Sequence, residues 1–416
     1  MRLPVLCLVF PLGPKPYPLI GNVFDLPQSR PWSVFKKWAD TYGQNIVHVS
    51  AFGKHIVVLN DAQHAADLLD NKSRQFGETQ WSENRRMINQ FMGTRSKIEA
   101  FHDILQHEAD DYLKNIAKDS QNYVKYIRRY AGGIVLMMAY GYKTSGNGDD
   151  KMVELVDEAM DQFSETVAPN AFLVDAFPIL QYVPSWFPGA AWKKKAHHYR
   201  KTLQDMLHVP YNWTKSQMAA GTARPSYLYT QLDSNKILNP DEEHLIRWVA
   251  ASIIAGGADT TVAVIEAFFM GMVFQPSAQS KAQKEIDTVV GHDRLPTLED
   301  RDQLPYVEAL IQETMRVYTA GPIGLPHVVS ENDICQGYFI PKGSMVLTNN
   351  AMFYNDPKVY PEPDKFSPER FLPSNGNFKQ KDPREYLFGF GRRHPEPFEC
   401  TITPRNASVV ALLQES

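Results

Sequence analysis

Cysteine is scarce in this chain: Cys7, Cys335 and Cys400 are the only three among 416 residues. Three thiols with no CxxC pair make no disulfide framework and fit a reducing compartment. Charge of one sign is not in excess either. The formal net charge of −4 gives no basic surplus for binding nucleic acid. Internal repeats and low-complexity tracts are missing. The start, MRLPVLCLVF, offers one apolar run, Val5 to Phe10. It is too short for a membrane span and poor as a signal peptide, and residues 1–10 read as the remnant of an anchor. A dinucleotide fingerprint is also lacking. Gly389 and Gly391 flank Phe390, but no third glycine and no strand–turn–helix context follow.

What is present is ordinary for a globular protein, at 43% hydrophobic and 22% charged residues. Length alone suggests two or three domains. The most informative stretch runs from Asn239 to Pro276. Asn-Pro-Asp-Glu-Glu reads as an N-cap, a proline in the first turn and acids beside it. Gln275-Pro276 is where a helix must stop. Between them lie about ten turns, on the order of 50 Å. From Trp248 to Gln275 only Asp259 and Glu266 are charged, so this helix is apolar nearly all round and belongs in an interior.

At its centre stands Gly256-Gly257-Ala258-Asp259-Thr260-Thr261. Two glycines weaken a helix by roughly 1 kcal/mol each relative to alanine. A buried acid and hydroxyl beside them need partners or a purpose. One reading is a helix that opens locally for a small ligand, with Asp259 and Thr260 handling protons. The other is a membrane span or a plain core helix with a packing glycine. A mid-bilayer carboxylate is costly, which counts against the span.

Elsewhere the chain opens with a proline-rich segment, Pro11 to Asn22. A helix is expected over Pro31–Tyr42, and a hairpin turns at Phe52-Gly53-Lys54. Trp81 and Arg85 stand at i,i+4 on one helical face. Long helical patterns cover Lys97–Ala117, Tyr123–Tyr142 and Asp150–Ser164. Around Trp186-Phe187-Pro188-Gly189 the chain is aromatic and leads to Lys193-Lys194-Lys195, which suits a membrane surface or a solvated helix face. Glu313 and Arg316 form an i,i+3 pair on a further helix. Two short strands flank Pro341-Lys342-Gly343. Pro368-Glu369-Arg370-Phe371 follows, and then Phe388-Gly389-Phe390-Gly391-Arg392-Arg393.

Each of these signals is weak alone, but in this order the chain resembles the cytochrome P450 family of haem-thiolate monooxygenases, and is most similar to fungal microsomal members that oxidise secondary metabolites. The resemblance covers roughly residues 11 to 393. It implies a mainly α fold with a small β-rich region, a triangular helical prism around a long central helix. One domain would span 11–393, with strands near 43–60 and 328–348. It implies haem b (iron protoporphyrin IX), with Trp81, Arg85, His327 and Arg393 at the propionates. Gly256 and Gly257 would admit dioxygen, and Asp259 and Thr260 would deliver protons. Glu313, Arg316 and Arg370 would form a buried ion triad. Partners would be O2, an NADPH-cytochrome reductase and a lipophilic small molecule such as a terpenoid. The location would be the cytosolic face of the endoplasmic reticulum membrane, or the cytoplasm if the anchor is truly absent.

The family pattern FxxGxRxC starts at Phe388 and requires cysteine at position 395, where this chain has Pro395. Proline offers the iron no ligand. Cys400 lies five residues late, beyond Pro395 and Pro397. Residues 394–416 do not resemble the family, so the C-terminal part of the fold is expected to be incomplete. The resemblance also implies a few tens of residues skipped before Trp81, where Gln75 to Gln80 runs straight into the clamp helix. Two expectations follow. One is a haem monooxygenase acting on a lipophilic metabolite, with Cys400 either the displaced iron ligand or a chance cysteine in an unrelated tail. The other is a haem-less, inactive member of the same fold, from a splice product or a faulty gene model.

Overall fold

The computed structural model of the chain describes residues 9–27, 29–70, 79–144, 150–167, 172, 174, 178–233, 238–373, 380–387 and 389. Most of the anchor remnant, Phe388, Arg393, Pro395, Cys400 and the tail lie outside the described residues, as does the side chain of Trp81. In chain order the main elements are α1 (Pro31–Tyr42), β1 (Ile46–Ala51), β2 (Lys54–Leu59), α2 (Thr79–Met92), α3 (His102–Lys118) and α4 (Tyr123–Tyr140). There follow α5 (Lys151–Val167), α6 (Ala191–Ala219), α7 (Tyr227–Leu232), α8 (Pro240–Phe274), α9 (Pro276–Val289) and α10 (Pro305–Val317). The last are β3 (His327–Val328), β4 (Asp333–Cys335), β5 (Tyr338–Ile340) and β6 (Met345–Thr348).

The fold is mainly helical, and α8 is its axis. Its start is a reciprocal capping box: the Glu242 amide donates to Asn239 Oδ1 at 2.9 Å, and the Asn239 amide donates to Glu242 Oε2 at 3.0 Å. Pro240 and the acids Asp241, Glu242 and Glu243 occupy the first turn, where the helix dipole favours negative charge. Among the described residues α8 is the one helix long and apolar enough to cross a membrane. Instead it packs against α2, α4, α5, α6, α7, α9 and α10. Its Val249, Ala250, Ile253, Ile254 and Ala258 join Val135, Leu136, Ala139 and Tyr140 of α4 and Tyr227 and Leu228 of α7 in the largest core cluster. Each valine, leucine and isoleucine among them contributes about 1.5–3 kcal/mol by leaving water.

The two central glycines do different work, because neighbours on a helix point about 100° apart. A Cβ on Gly257 would run into Val135 Cγ1 of α4, whereas a Cβ on Gly256 would meet nothing within 4 Å. Gly257 therefore sets how closely α4 and α8 approach. Gly257→Ala should destabilise the chain by about 1–3 kcal/mol through overpacking. Gly256→Ala should be neutral or stabilise by up to about 1 kcal/mol. Urea unfolding midpoints of the two variants provide the comparison, and equal midpoints would refute it.

The larger sheet has the order β1-β2-β6-β3. β1 and β2 form the expected hairpin across Phe52 and Gly53, both at positive φ. β6 lies parallel to β2, with Ile56 opposite Met345 and Leu59 opposite Thr348. The strands flanking Pro341-Lys342-Gly343 do not pair with each other: β5 pairs with β4, and β6 enters the other sheet. Pro341 has no N–H for a ladder. The Gly343 amide donates to Val329 O at 2.7 Å, and the Val329 amide donates to Ser344 O at 3.0 Å. Those bonds steer the chain away from β5 and toward β3.

Candidate functional site

Glu313 and Arg316 project from one face of α10, and the structure brings Arg370 to them from 54 residues beyond Arg316. Arg316 Nε donates to Glu313 Oε2 at 2.8 Å and Nη2 donates to Oε1 at 2.9 Å. Arg370 Nε donates to Glu313 Oε1 at 3.2 Å, and the Ser367 amide donates to the same oxygen at 2.7 Å. The side chains of Glu313 and Arg316 are wholly buried and that of Arg370 is 4% exposed. Two guanidiniums share one carboxylate, so a positive charge is left over. It is spread over carbonyls: Arg316 donates to Tyr354 O and Pro363 O, and Arg370 to Lys365 O. Charges this deep persist only when their hydrogen bonds are satisfied in this way.

A second network, which sequence reading does not single out, stands beside the triad. Arg384 donates to Glu308 of α10 at 2.6 Å and to Asp382 at 2.6 Å. Gln312 of α10 also donates to Asp382, at 2.7 Å. Burial works against the Asp382 charge, yet these donors hold its carboxyl below its ordinary value. Residues 380–387, which lead directly to Phe388, are thereby pinned to α10. The one available sequence signal is that Glu308 and Gln312 sit at i,i+4 on the helix that carries Glu313.

On α8 the residues Ser252, Ala255, Gly256 and Thr260 are exposed in the middle of the helix, and Phe268, Met270, Val273 and Phe274 are exposed toward its C-terminal end. The spacing of the first four places them on one stripe. Thr260 Oγ1 donates to Gly256 O at 2.8 Å. A hydroxyl bonded to the carbonyl four residues back competes with the helical ladder and favours a local bend.

Asp259 is turned elsewhere. It lies 3.8 Å from Arg128 Nη1 of α4, and the same nitrogen is 3.8 Å from Asp157 of α5. Burial pushes Asp157 up to about 6, with Arg128 opposing and Asp259 adding to the rise. Burial raises Asp259 as well, against the pull of Arg128. One guanidinium thus serves two acids on two helices. Asp259 and Thr260 are adjacent in sequence but separated in surroundings, with the acid in an ionic cluster and the hydroxyl on the open stripe.

Arg85 is half-buried on α2, and Trp81 lies one turn earlier on the same helix. His327 is the first residue of β3, opposite Val346 of β6. Burial lowers its pKa, with Asp70 opposing, so its ring is a neutral donor or acceptor near neutral pH. Among the described residues no group of three or more His, Cys, Asp or Glu side chains could hold a metal ion.

Residues 11–394 match the family model described as Cytochrome P450. The match ends one residue before Pro395. The chain is similar to Cytochrome P450 monooxygenase 208 of Postia placenta, at 40% identity covering 97% of this chain and 92% of that protein. It is similar to Cytochrome P450 monooxygenase claR of Ampulloclitocybe clavipes, at 36% identity over 97% of this chain and 88% of the relative. O-methylsterigmatocystin oxidoreductase of Aspergillus flavus is 35% identical over 92% of this chain and 78% of its own length. The alignment with the Postia protein spans 473 positions, more than the 416 residues of this chain, so that relative carries stretches with no counterpart here.

Proposed function

The chain belongs to the cytochrome P450 family, and from that premise we propose that it is a monooxygenase of lipophilic small molecules, secondary metabolites such as terpenoids, using O2, haem b and electrons from an NADPH-cytochrome reductase. The observation that carries this reading is the exposed stripe of Ala255, Gly256 and Thr260 on an apolar helix at the centre of the molecule. Small side chains there leave room beside the helix, and a hydroxyl is held at its edge. The relative named O-methylsterigmatocystin oxidoreductase supports a small-molecule substrate. Residues 11–393 are read as one domain.

When bound, the haem supplies the oxygen chemistry, and the protein supplies orientation and electrostatics. Trp81, Arg85, His327 and Arg393 are assigned to the propionates, where donors suit carboxylates. Thr260 is assigned to hold water on the stripe, and Asp259, through its cluster with Arg128, to supply protons. The iron-ligand position does not fit. The Pro395 side chain has no donor atom to offer the iron, so a thiolate ligand from this polypeptide would have to come from Cys400. A second reading rests on that same proline: a haem-less member of the fold. Reducing the purified chain under carbon monoxide separates the two. A red-shifted thiolate Soret band, abolished by Cys400→Ser, supports the monooxygenase. A folded, colourless chain supports the haem-less form.

We place the protein at the cytosolic face of the endoplasmic reticulum membrane. Ile179, Tyr182, Trp186 and Phe187 are 74%, 78%, 81% and 51% exposed, a density of large apolar groups that water alone does not favour. Lys193 Nζ donates to Gln181 O at 2.7 Å, which ties this segment to the lysine-rich start of α6. Aromatics backed by lysines suit an anionic lipid surface. Replacing both Trp186 and Phe187 by alanine should weaken co-sedimentation with anionic vesicles by about tenfold or more. Unchanged co-sedimentation would remove this face from consideration.

A further inference from the structure

The first described residues lie along the free edge of β1. The His48 amide donates to Leu12 O at 3.3 Å, and the Phe339 amide of β5 donates to Val9 O at 2.9 Å. A Cβ on Gly13 would run into the His48 carbonyl oxygen, so the leading segment sits directly on the strand. Across the hairpin His48 Nε2 and His55 Nδ1 are 2.9 Å apart. Two ring nitrogens at that distance share one proton, one donating and the other accepting. Phe10 stacks on both imidazoles, at 4.8 Å from His48 and 5.2 Å from His55, with planes tilted by 20° and 6°. Phe339 meets Phe10 edge-on at 5.9 Å.

We propose that His48 and His55 form a proton-controlled latch for the leading segment: with one shared proton they make the platform on which Phe10 stacks, and a second proton drives the rings apart and frees residues 9–13 from β1 and β5. The latch stands apart from the haem reading, since none of its residues is assigned to that site. Besides α1, which packs on the Val47 and Val49 face of β1 and carries Lys36, Lys37, Asp40 and Tyr42, the titratable groups on the elements around His48 are Lys54 and His55 on β2 and Tyr338 on β5. Of these, His55 is the one that acts on it. Residues 9–13 carry none.

Burial, and next the charge of His55, hold His48 down at about 4 against an ordinary 6.5. The sign follows from that depression. Stabilisation from the uncharged ring is complete above the ordinary value and is lost as pH falls toward the folded one. The latch is therefore closed at neutral pH and opens in acid.

Amide hydrogen exchange on the full chain, corrected for intrinsic rates, tests this. Between about pH 7.5 and about pH 4.5 the amides of His48 and Phe339 should lose about tenfold or more of their protection. The amides of Val57 and Val58, inside the sheet, should keep theirs. His55→Gln preserves a hydrogen-bonding partner and removes the second charge but not the burial of His48, so its loss of protection in acid should be clearly smaller than that of the wild type. Wild-type protection independent of pH, an equal loss throughout β1 and β2, or the same loss in His55→Gln would each overturn the proposal. Should His55→Gln fail to fold, nitrogen-15 histidine spectra of the wild type decide. Two separate protonation steps, one well below the ordinary histidine value, support the latch. A single step near that value overturns it.

Discussion

Glu313→Ala is expected to destabilise the folded chain by about 3–5 kcal/mol, because it leaves two buried guanidiniums facing each other without their shared carboxylate. Against a typical domain stability of about 5–15 kcal/mol, that is a large share of the total. The size follows from the geometry. Glu313 accepts from both nitrogens of the Arg316 fork, from Arg370 and from the Ser367 amide. Removing it strands four donors around a wholly buried position. Glu313→Gln keeps one acceptor oxygen but removes the charge and should fall between alanine and wild type. Arg370→Lys keeps a cation but cannot reach Glu313, Pro361, Gln380 and Lys365 together as Arg370 does. Guanidinium unfolding midpoints of the three variants should rank in that order, with alanine the least stable of the glutamate pair. A Glu313→Ala chain within about 1 kcal/mol of wild type would show that the triad is not what holds this region together.

How far these features could be read from sequence depends on the range of the interaction. The capping box of α8 is local, with partners three residues apart, and Asn239-Pro-Asp-Glu announces it. The stop at Gln275-Pro276 is local in the same way. Glu313 and Arg316 are legible as a pair because helix geometry brings i and i+3 together, but Arg370 is joined to them by tertiary folding and entered through family resemblance. The Arg128–Asp157–Asp259 cluster draws on three helices, and no spacing rule predicts which acid an arginine will find. Gly256-Gly257 reads as one weak point in a helix, yet one glycine meets α4 and the other meets open space. Only the rotational phase of α8 against its neighbours separates them. β5 and β6 part company for a similar reason. Their short strands carry no preference strong enough to override the parallel partner that β2 offers to β6.

Pro395→Cys is expected to have the largest effect on chemistry. Thiolate sulfur is a soft, electron-rich donor that binds haem iron and favours O–O cleavage, and proline at that position provides nothing in its place. Cys400 stands five residues on, up to about 17 Å of extended chain away. With Pro395 and Pro397 stiffening the path, its sulfur reaches the iron only if the intervening residues loop back, and the hydrogen bonds that tune a ligand are then set by a different backbone. Pro395→Cys in a Cys400→Ser background should therefore turn a chain with little or no thiolate Soret band under carbon monoxide into one that shows it. The start of the loop is already anchored for this, since Arg384 and Asp382 hold residues 380–387 to α10 whichever residue occupies position 395. If the wild type already gives the band and Cys400→Ser alone removes it, Cys400 is the ligand and the loop tolerates a displaced sulfur. If Pro395→Cys remains colourless while folded, the deficit lies deeper than one donor atom, in the pocket that Trp81, Arg85, His327 and Arg393 are proposed to line.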